Sequence, residues 1–396
     1  MSEGQATRRS ELPGRYDRGL LLAALGITAL GVVMVASSSI PVAENQHFGP
    51  FYYVTRHLIF VALGVLLAIG AMRLELEKVE RHSGVLLLIG FLLLLAVFVP
   101  GLGMRRNGAL RWLNFGITGL QPVEAFKLLL IAYLASYLVR HRESVQRNFF
   151  GVIKPICVAG VGVVLLLAQP DFGSAALVAA TTVGLIWLGG ARLRNLVFLG
   201  LPVMPVMAYA AIYAEYRIKR LTSFRDPFLD PFGDGYQLSQ ALIAVGRGEW
   251  FGVGLGGSVQ KLFYLPEAHT DFILAVLAGE LGLFGVLLVL ALFAWLCGRG
   301  LLLGARAIQR GLYFQGYVAF GISLCIALQA IVSIGVNLGV LPTKGLTLPL
   351  ISSGGSSVLM TCVMIGVLLR VSYELTREEA QSAESTQQRL QSGVWA

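Results

Sequence analysis

The chain has 396 residues, 56% of them hydrophobic and only 13% charged, with a mean hydropathy of +0.73. A soluble chain of this length would divide into two or three domains, but apolar runs of about 20 residues recur here, and each is long enough to cross a hydrocarbon core. That pattern excludes a soluble enzyme, and the net charge of +9 is what basic cytoplasmic loops give a membrane protein, with nothing that points to nucleic acid.

Residues 1–18 form a polar tail, and the first apolar run lacks a small-residue cleavage site, so it reads as a retained helix rather than a signal peptide. Spans are predicted at roughly 19–38, 54–72, 83–100, 121–139, 152–168, 172–189, 195–213, 271–297, 312–338 and 350–370. Ten spans place both termini on one side. That side holds 19 of the 31 lysines and arginines, so the termini are predicted to be cytoplasmic and the long loop at 214–270 to face outward. The tail at 372–396 is polar and mobile by composition.

Several polar residues interrupt the apolar pattern. Arg56 lies just inside the outer end of span two, where snorkelling to the interface and a functional role are both open. The next outer segment, GLGMRRNGALRWLNFG, carries three arginines, and Arg111 beside Trp112 is placed at the surface facing lipid headgroups. Glu124 and Lys127 stand three apart on span four, close enough to pair, and ionisable residues within a span are functional candidates. The turn QPDFG between spans five and six holds Asp171, either as an ordinary turn residue or as a carboxylate facing a cavity. The four cysteines lie in or at the end of apolar runs with no metal or disulfide spacing, and the five histidines are scattered.

The only long polar interval runs from Glu215 to Phe272. It is rich in glycine and aromatic residues, mixes acids with bases, and ends in YLPEAHTDF, which delivers Asp271 to the start of span eight. A loop of this length is usually functional or disordered, and its aromatic content argues for function. It is read as half of an active site centred on Asp271. Asp271 or Thr270 is expected to cap the following helix. Glu280 lies nine residues on, about 13.5 Å of rise and half a turn out of phase, so the two carboxylates cannot act as a close pair. Glu280 is expected to pair between helices instead. The last outer segment, GVLPTKGLTLPLISSGGSS, has the composition of an unwound helix entrance with exposed N–H groups, suited to a phosphate.

The motifs NGALRWLNFG…QPVEAFKL, QPDFGSA, FGVGLGGSVQKLFYLPEAHTDF and GVLPTKGLTLPLISSGGSS together resemble the SEDS family (shape, elongation, division and sporulation) across 19–371. The wording of the last two, and of VASSS in span one, is nearer to the division members than to the elongation members. Gly279, where members often carry a second acid, and Ser353, where they often carry Tyr, depart from the family pattern. The resemblance implies an all-α, ten-span protein of the bacterial inner membrane, located at the septum. It also implies a peptidoglycan glycosyltransferase that polymerises lipid II, working with a class B penicillin-binding protein, other division proteins and membrane lipid.

On that reading Asp271 is a general base, and Arg56, Lys127, Arg220 and Lys344 are candidates to offset the charge of a leaving pyrophosphate. Arg111, Glu124, Asp171, Lys261, Glu267, His269, Ser352 and Ser353 complete the substrate-contact candidates. No tightly bound cofactor is expected. A divalent cation, magnesium or manganese, is compatible with the chemistry, with Asp271 its candidate ligand. The alternatives are a lipid II flippase, whose path Glu124, Lys127 and Asp171 would line, an elongation polymerase of the same family, and a scaffold that recruits the transpeptidase.

Overall fold

The computed structural model describes residues 14–106, 109–114, 119–201, 224–233, 235–342 and 345–391. Among them lie α1 (Arg18–Asn45), α2 (Tyr52–Met72), α3 (Leu76–Arg81), α4 (Ser83–Ala96), α5 (Pro122–Arg140), α6 (Arg142–Arg147), α7 (Phe150–Ala168) and α8 (Phe172–Leu188). After α9 (Leu193–Gly200) and α10 (Tyr236–Gly248) come α11 (Ile273–Gln309), α12 (Tyr313–Asn337) and α13 (Gly355–Gln391). Among the described residues, seven helices are long and apolar enough to cross a membrane, and α4 and α8 are shorter apolar helices. The expected span at 195–213 is described only to residue 201, so the count of ten rests partly outside the described residues.

Lipid as solvent explains how the helices are dressed. α2 turns Leu58, Ile59, Leu63, Leu66 and Leu67 outward and buries only His57, Gly64 and Ala71. α5, α11 and α12 carry their buried residues on wider faces and form the centre of the bundle. α2 packs on α13, α11 on α1 and α12, α4 on α5, and α7 on α8.

Small residues set the close approaches, as expected where packing rather than hydrophobicity joins helices. A methyl group at Gly64 would stand 2.9 Å from Cys362 Sγ, and one at Gly355 would stand 2.7 Å from the Phe60 ring. The four cysteines are free thiols, three of them buried.

Three features depart from the sequence expectations. The segment between α4 and α5 forms a small antiparallel sheet of β1 (Gly103–Arg106), β2 (Ala109–Asn114) and β3 (Gly119–Leu120), in that order. α13 runs on through 371–391, so most of the tail expected to be mobile is helical. It is tied to the start of the chain: the Thr376 hydroxyl donates to the Arg15 carbonyl at 3.0 Å, and Tyr16 packs on Tyr373. Finally, α11 is broken at Gly282, whose φ is +66°.

Loop backbone repairs that break. The N–H groups of Val253 and Gly254 donate to the carbonyls of Gly279 and Glu280 at 3.0 and 3.1 Å. Those of Leu283 and Phe284 donate to Glu249 and Trp250. Non-helical backbone inside a membrane protein is tolerated where protein partners satisfy it in this way.

Candidate active site

A cavity of about 200 Å³ is walled by the first turns of α2, by β2, by the YLPEAHTDF turn and by the segment leading into α13. α13 starts in this wall at Gly355, and Tyr373, which touches Tyr16, lies about 27 Å further along its axis. The cavity is therefore at the end of the bundle opposite the contact between residues 15–16 and 373–376. Of the sequence candidates, Arg56, Arg111, Glu267, His269, Asp271 and Ser353 line it. Glu124, Lys127, Asp171 and Ser352 lie behind the wall. Arg220 and Lys344 fall outside the described residues.

Asp271 is half-buried and stands one residue before the N-cap, Phe272, which makes no side-chain cap bond. The expectation that Asp271 or Thr270 caps the helix is corrected: the helix opens two residues after Asp271. The reason is a tight turn at Glu267, whose φ of +55° points its carbonyl at the N–H groups of Thr270 (3.1 Å) and Phe272 (3.2 Å). The Thr270 hydroxyl donates to Glu267 Oε2 at 2.6 Å and closes the turn.

Asn337, buried at the end of α12, does the capping instead. Its Oδ1 accepts from Ala275 N–H at 3.0 Å, and its Nδ2 donates to the Asp271 carbonyl at 2.8 Å. An isolated helix end leaves its first N–H groups unpaired. Here a neighbouring helix supplies the partner and fixes the backbone of Asp271 in the same step.

Ser352 lies behind the wall as a clamp. Its hydroxyl donates to the Thr270 carbonyl at 2.7 Å and accepts from Leu348 N–H, while Ser353 N–H donates to the His269 carbonyl at 3.0 Å. These bonds join the Asp271 turn to the segment entering α13. Gly354, Gly355, Ser356 and Ser357 then present the start of α13 to the cavity, where unpaired N–H groups and the helix dipole favour an anion.

Arg111 does not face lipid headgroups, as its neighbour Trp112 suggested. β2 directs it into the cavity wall, with Nη1 3.7 Å from Asp171 Oδ1. Asp171 is buried and caps α8: it accepts from Ser174 N–H at 3.1 Å, from the Ser174 hydroxyl at 2.8 Å and from Gln121 Nε2 at 3.3 Å. The turn reading and the carboxylate reading meet here, since Asp171 orients Arg111 from behind and does not itself line the cavity. Gln121 N–H in turn donates to the Ser356 hydroxyl.

Glu124 and Lys127 also stand behind the wall, 2.9 Å apart and both buried. Lys127 Nζ donates to Gln329 Oε1 at 2.7 Å, and Gln329 Nε2 donates to the carbonyl of the cavity residue Thr347 at 3.0 Å. Lys261 is placed elsewhere. It is buried in an ion pair of 2.7 Å with Glu280, and both reach the Ser37 hydroxyl on α1. Glu280 thus pairs with the long loop as well as with another helix.

Sequence reading missed His57, Gln329, Asn337, Ser356 and Ser357. For His57 a signal existed: positions 53, 57, 60 and 64 share one helical face, and it is the face turned to α13.

Among the described residues no group of three His, Cys, Asp or Glu side chains could hold a metal ion. Asp271 and Glu267 in one cavity match the mode in which Mg²⁺ is held by one or two carboxylates and substrate phosphates.

Fold and site together define a polytopic helical membrane protein with a carboxylate set among guanidinium groups and a helix N-terminus at one face of the bundle. The family model for the cell cycle proteins FtsW, RodA and SpoVE matches residues 18–377, and the chain belongs to that family. It is 56% identical over 375 residues to a "Probable peptidoglycan glycosyltransferase FtsW" of Xanthomonas oryzae, covering 95% of this chain and 76% of the relative. It is 48% identical to the protein of the same description from Coxiella burnetii, over 93% and 99% of the two chains.

Among solved structures, it superposes with a TM-score of 0.75 and 28% identity on a chain of a peptidoglycan synthase complex that coordinates polymerization and crosslinking, over 91% and 98% of the chains. The rod shape determining protein RodA of Thermus thermophilus superposes with a TM-score of 0.66 and 28% identity, over 90% and 96%.

Proposed function

We propose that this chain is a peptidoglycan glycosyltransferase that polymerises lipid II during septal wall synthesis, with Asp271 as general base. The observation that carries this reading is the position of Asp271 in a cavity it shares with Arg56, Arg111 and the start of α13. The relatives named as FtsW support the division role over the elongation role.

In this mechanism the growing strand, held through a pyrophosphate on a polyprenyl lipid, is the donor. A sugar hydroxyl of incoming lipid II is the acceptor. Asp271 takes the hydroxyl proton as the oxygen attacks the anomeric carbon, the bond from that carbon to the phosphate oxygen breaks, and the lipid pyrophosphate leaves. Charge grows on that pyrophosphate, and guanidinium groups with backbone N–H donors suit it. Mg²⁺ or Mn²⁺ held by Asp271, with Glu267 beside it, would offset the same charge. The cavity end would face outward and the termini the cytoplasm. A class B penicillin-binding protein is the proposed partner, in keeping with a structural neighbour from a complex that also crosslinks.

The flippase alternative is disfavoured because Glu124 and Lys127 neutralise one another and Asp171 is spent as a helix cap.

The test is lipid II polymerisation by the purified chain with its transpeptidase partner. Asp271→Asn removes a general base, an effect of about 10²–10⁴-fold, while the backbone contact to Asn337 remains. Glycan strands made by the variant at the wild-type rate would reject the mechanism. Movement of lipid II across vesicles by a wild type that makes no strands would favour the flippase.

A further inference from the structure

We infer that His57 is a substrate-contacting residue, its Nε2 hydrogen-bonding the diphosphate of the lipid-linked substrate; this rests on the glycosyltransferase reading above. His57 is 2% exposed, yet Nε2 has no hydrogen-bond partner among the described residues. A buried polar atom without a partner costs stability, so a residue kept in that state needs a reason.

Its place in α2 supplies one. The buried positions of this helix are 57, 64 and 71, spaced by sevens and so close to one face, and Gly64 on that face meets Cys362 of α13 at the seam between the two helices. Gly64 and Ala71 are the small residues such a seam calls for. His57 is the large polar member, and it occupies the level where α13 begins and the cavity opens.

The surroundings indicate the ligand. Arg56 precedes His57 on the same wall. The first residues of α13, with serine hydroxyls and helix-end N–H groups, share the cavity with both. These groups offer positive charge and donors to an anion. The other faces of α2 are apolar and turned outward, where a lipid chain attached to that anion would run. An imidazole at the junction of polar cavity and apolar seam therefore meets the phosphate where it joins the lipid. With Nε2 as N–H donor the contact is direct, whichever diphosphate oxygen faces it.

The experiment compares wild type, His57→Leu and His57→Gln in nanodiscs. Three quantities are read: binding of a short-chain polyprenyl diphosphate, the KM and kcat for lipid II polymerisation, and thermal stability. Gln places a donor near the position of Nε2; Leu fills the volume without one. Loss of one hydrogen bond to a charged group predicts about tenfold weaker binding and a raised KM for His57→Leu, largely restored in His57→Gln. The melting temperature of His57→Leu should be equal to or above wild type, because an unpaired polar group has been removed from the interior. A structural histidine would show the reverse, with stability lost and binding kept. Wild-type binding by His57→Leu, beside a wild type that makes glycan strands, would overturn the role of His57 alone. A wild type that neither binds the diphosphate nor makes strands would overturn this inference together with the reading it rests on.

Discussion

Lys127 and Glu124 show how a pair can serve a site it does not line. Both side chains are buried, at 4% and 7% exposure, and Lys127 leads through Gln329 to the backbone of Thr347. Burying two charges is costly, and removing one partner leaves the other uncompensated, at about 3–5 kcal/mol. Lys127→Met should therefore lower thermal stability in detergent steeply. Glu124→Gln combined with Lys127→Met should recover most of the loss, because a neutral pair no longer carries the desolvation penalty. A double-mutant cycle of melting temperatures reads this directly. Equal losses in the single and double variants would mean that Gln329 and Thr347, rather than charge compensation, account for the effect. Asp171 follows the same pattern with Arg111: a buried carboxylate orients a cation whose other face meets the cavity.

The break in α11 belongs to the scale of elements. A straight helix would carry the residues after Gly282 on a fixed screw from Ile273. The positive φ of Gly282 ends that screw, and the residues from Glu249 to Gly254 take up the hydrogen bonds it frees. The long loop is thus sewn into the helix that follows it, and the Lys261–Glu280 pair adds a second fastening 2.7 Å long. Gly282→Ala forces a β-carbon into left-handed backbone, at about 1–2 kcal/mol. It also brings a methyl group 2.5 Å from the Trp250 carbonyl. The expected result is a shorter half-life on heating, with protease cleavage appearing first in the loop. Unchanged half-life and cleavage pattern would show that the loop is held independently of the break.

At the scale of the whole molecule, the cavity and the contact between residues 15–16 and 373–376 lie at opposite ends of the bundle, so the topology can be tested by accessibility. In a Cys157→Ser background, which removes the exposed native thiol, Tyr264→Cys should react with an impermeant maleimide in intact spheroplasts. Ala383→Cys should react only after lysis, since both positions are exposed and only the membrane separates them. The opposite labelling pattern would invert the topology and put the cavity in the cytoplasm, where it could not build an external wall.

Apolar run length determines where a helix can satisfy its backbone in lipid, and that property is local. The helices at 52–72, 122–140, 150–168 and 313–337 accordingly fall close to the spans read from the sequence, and the family motifs led to Asp271. What surrounds Asp271 depended on packing. Residues 57, 111, 271, 345 and 356 are far apart in the chain, and only the seams between α2, β2, α11 and α13 bring them to one cavity.

The small sheet had a local signal in Asn107-Gly108, a hairpin dipeptide, whereas the direction of Arg111 within it had none. Likewise, Asp171, Ser352 and Lys261 carry charges or hydroxyls that composition cannot place in front of a wall or behind it. Burial and partner choice are set by the three-dimensional neighbours. Those neighbours make Asn337 rather than Asp271 the cap of α11, and leave His57, in the cavity lining, with a buried nitrogen that has no partner among the described residues.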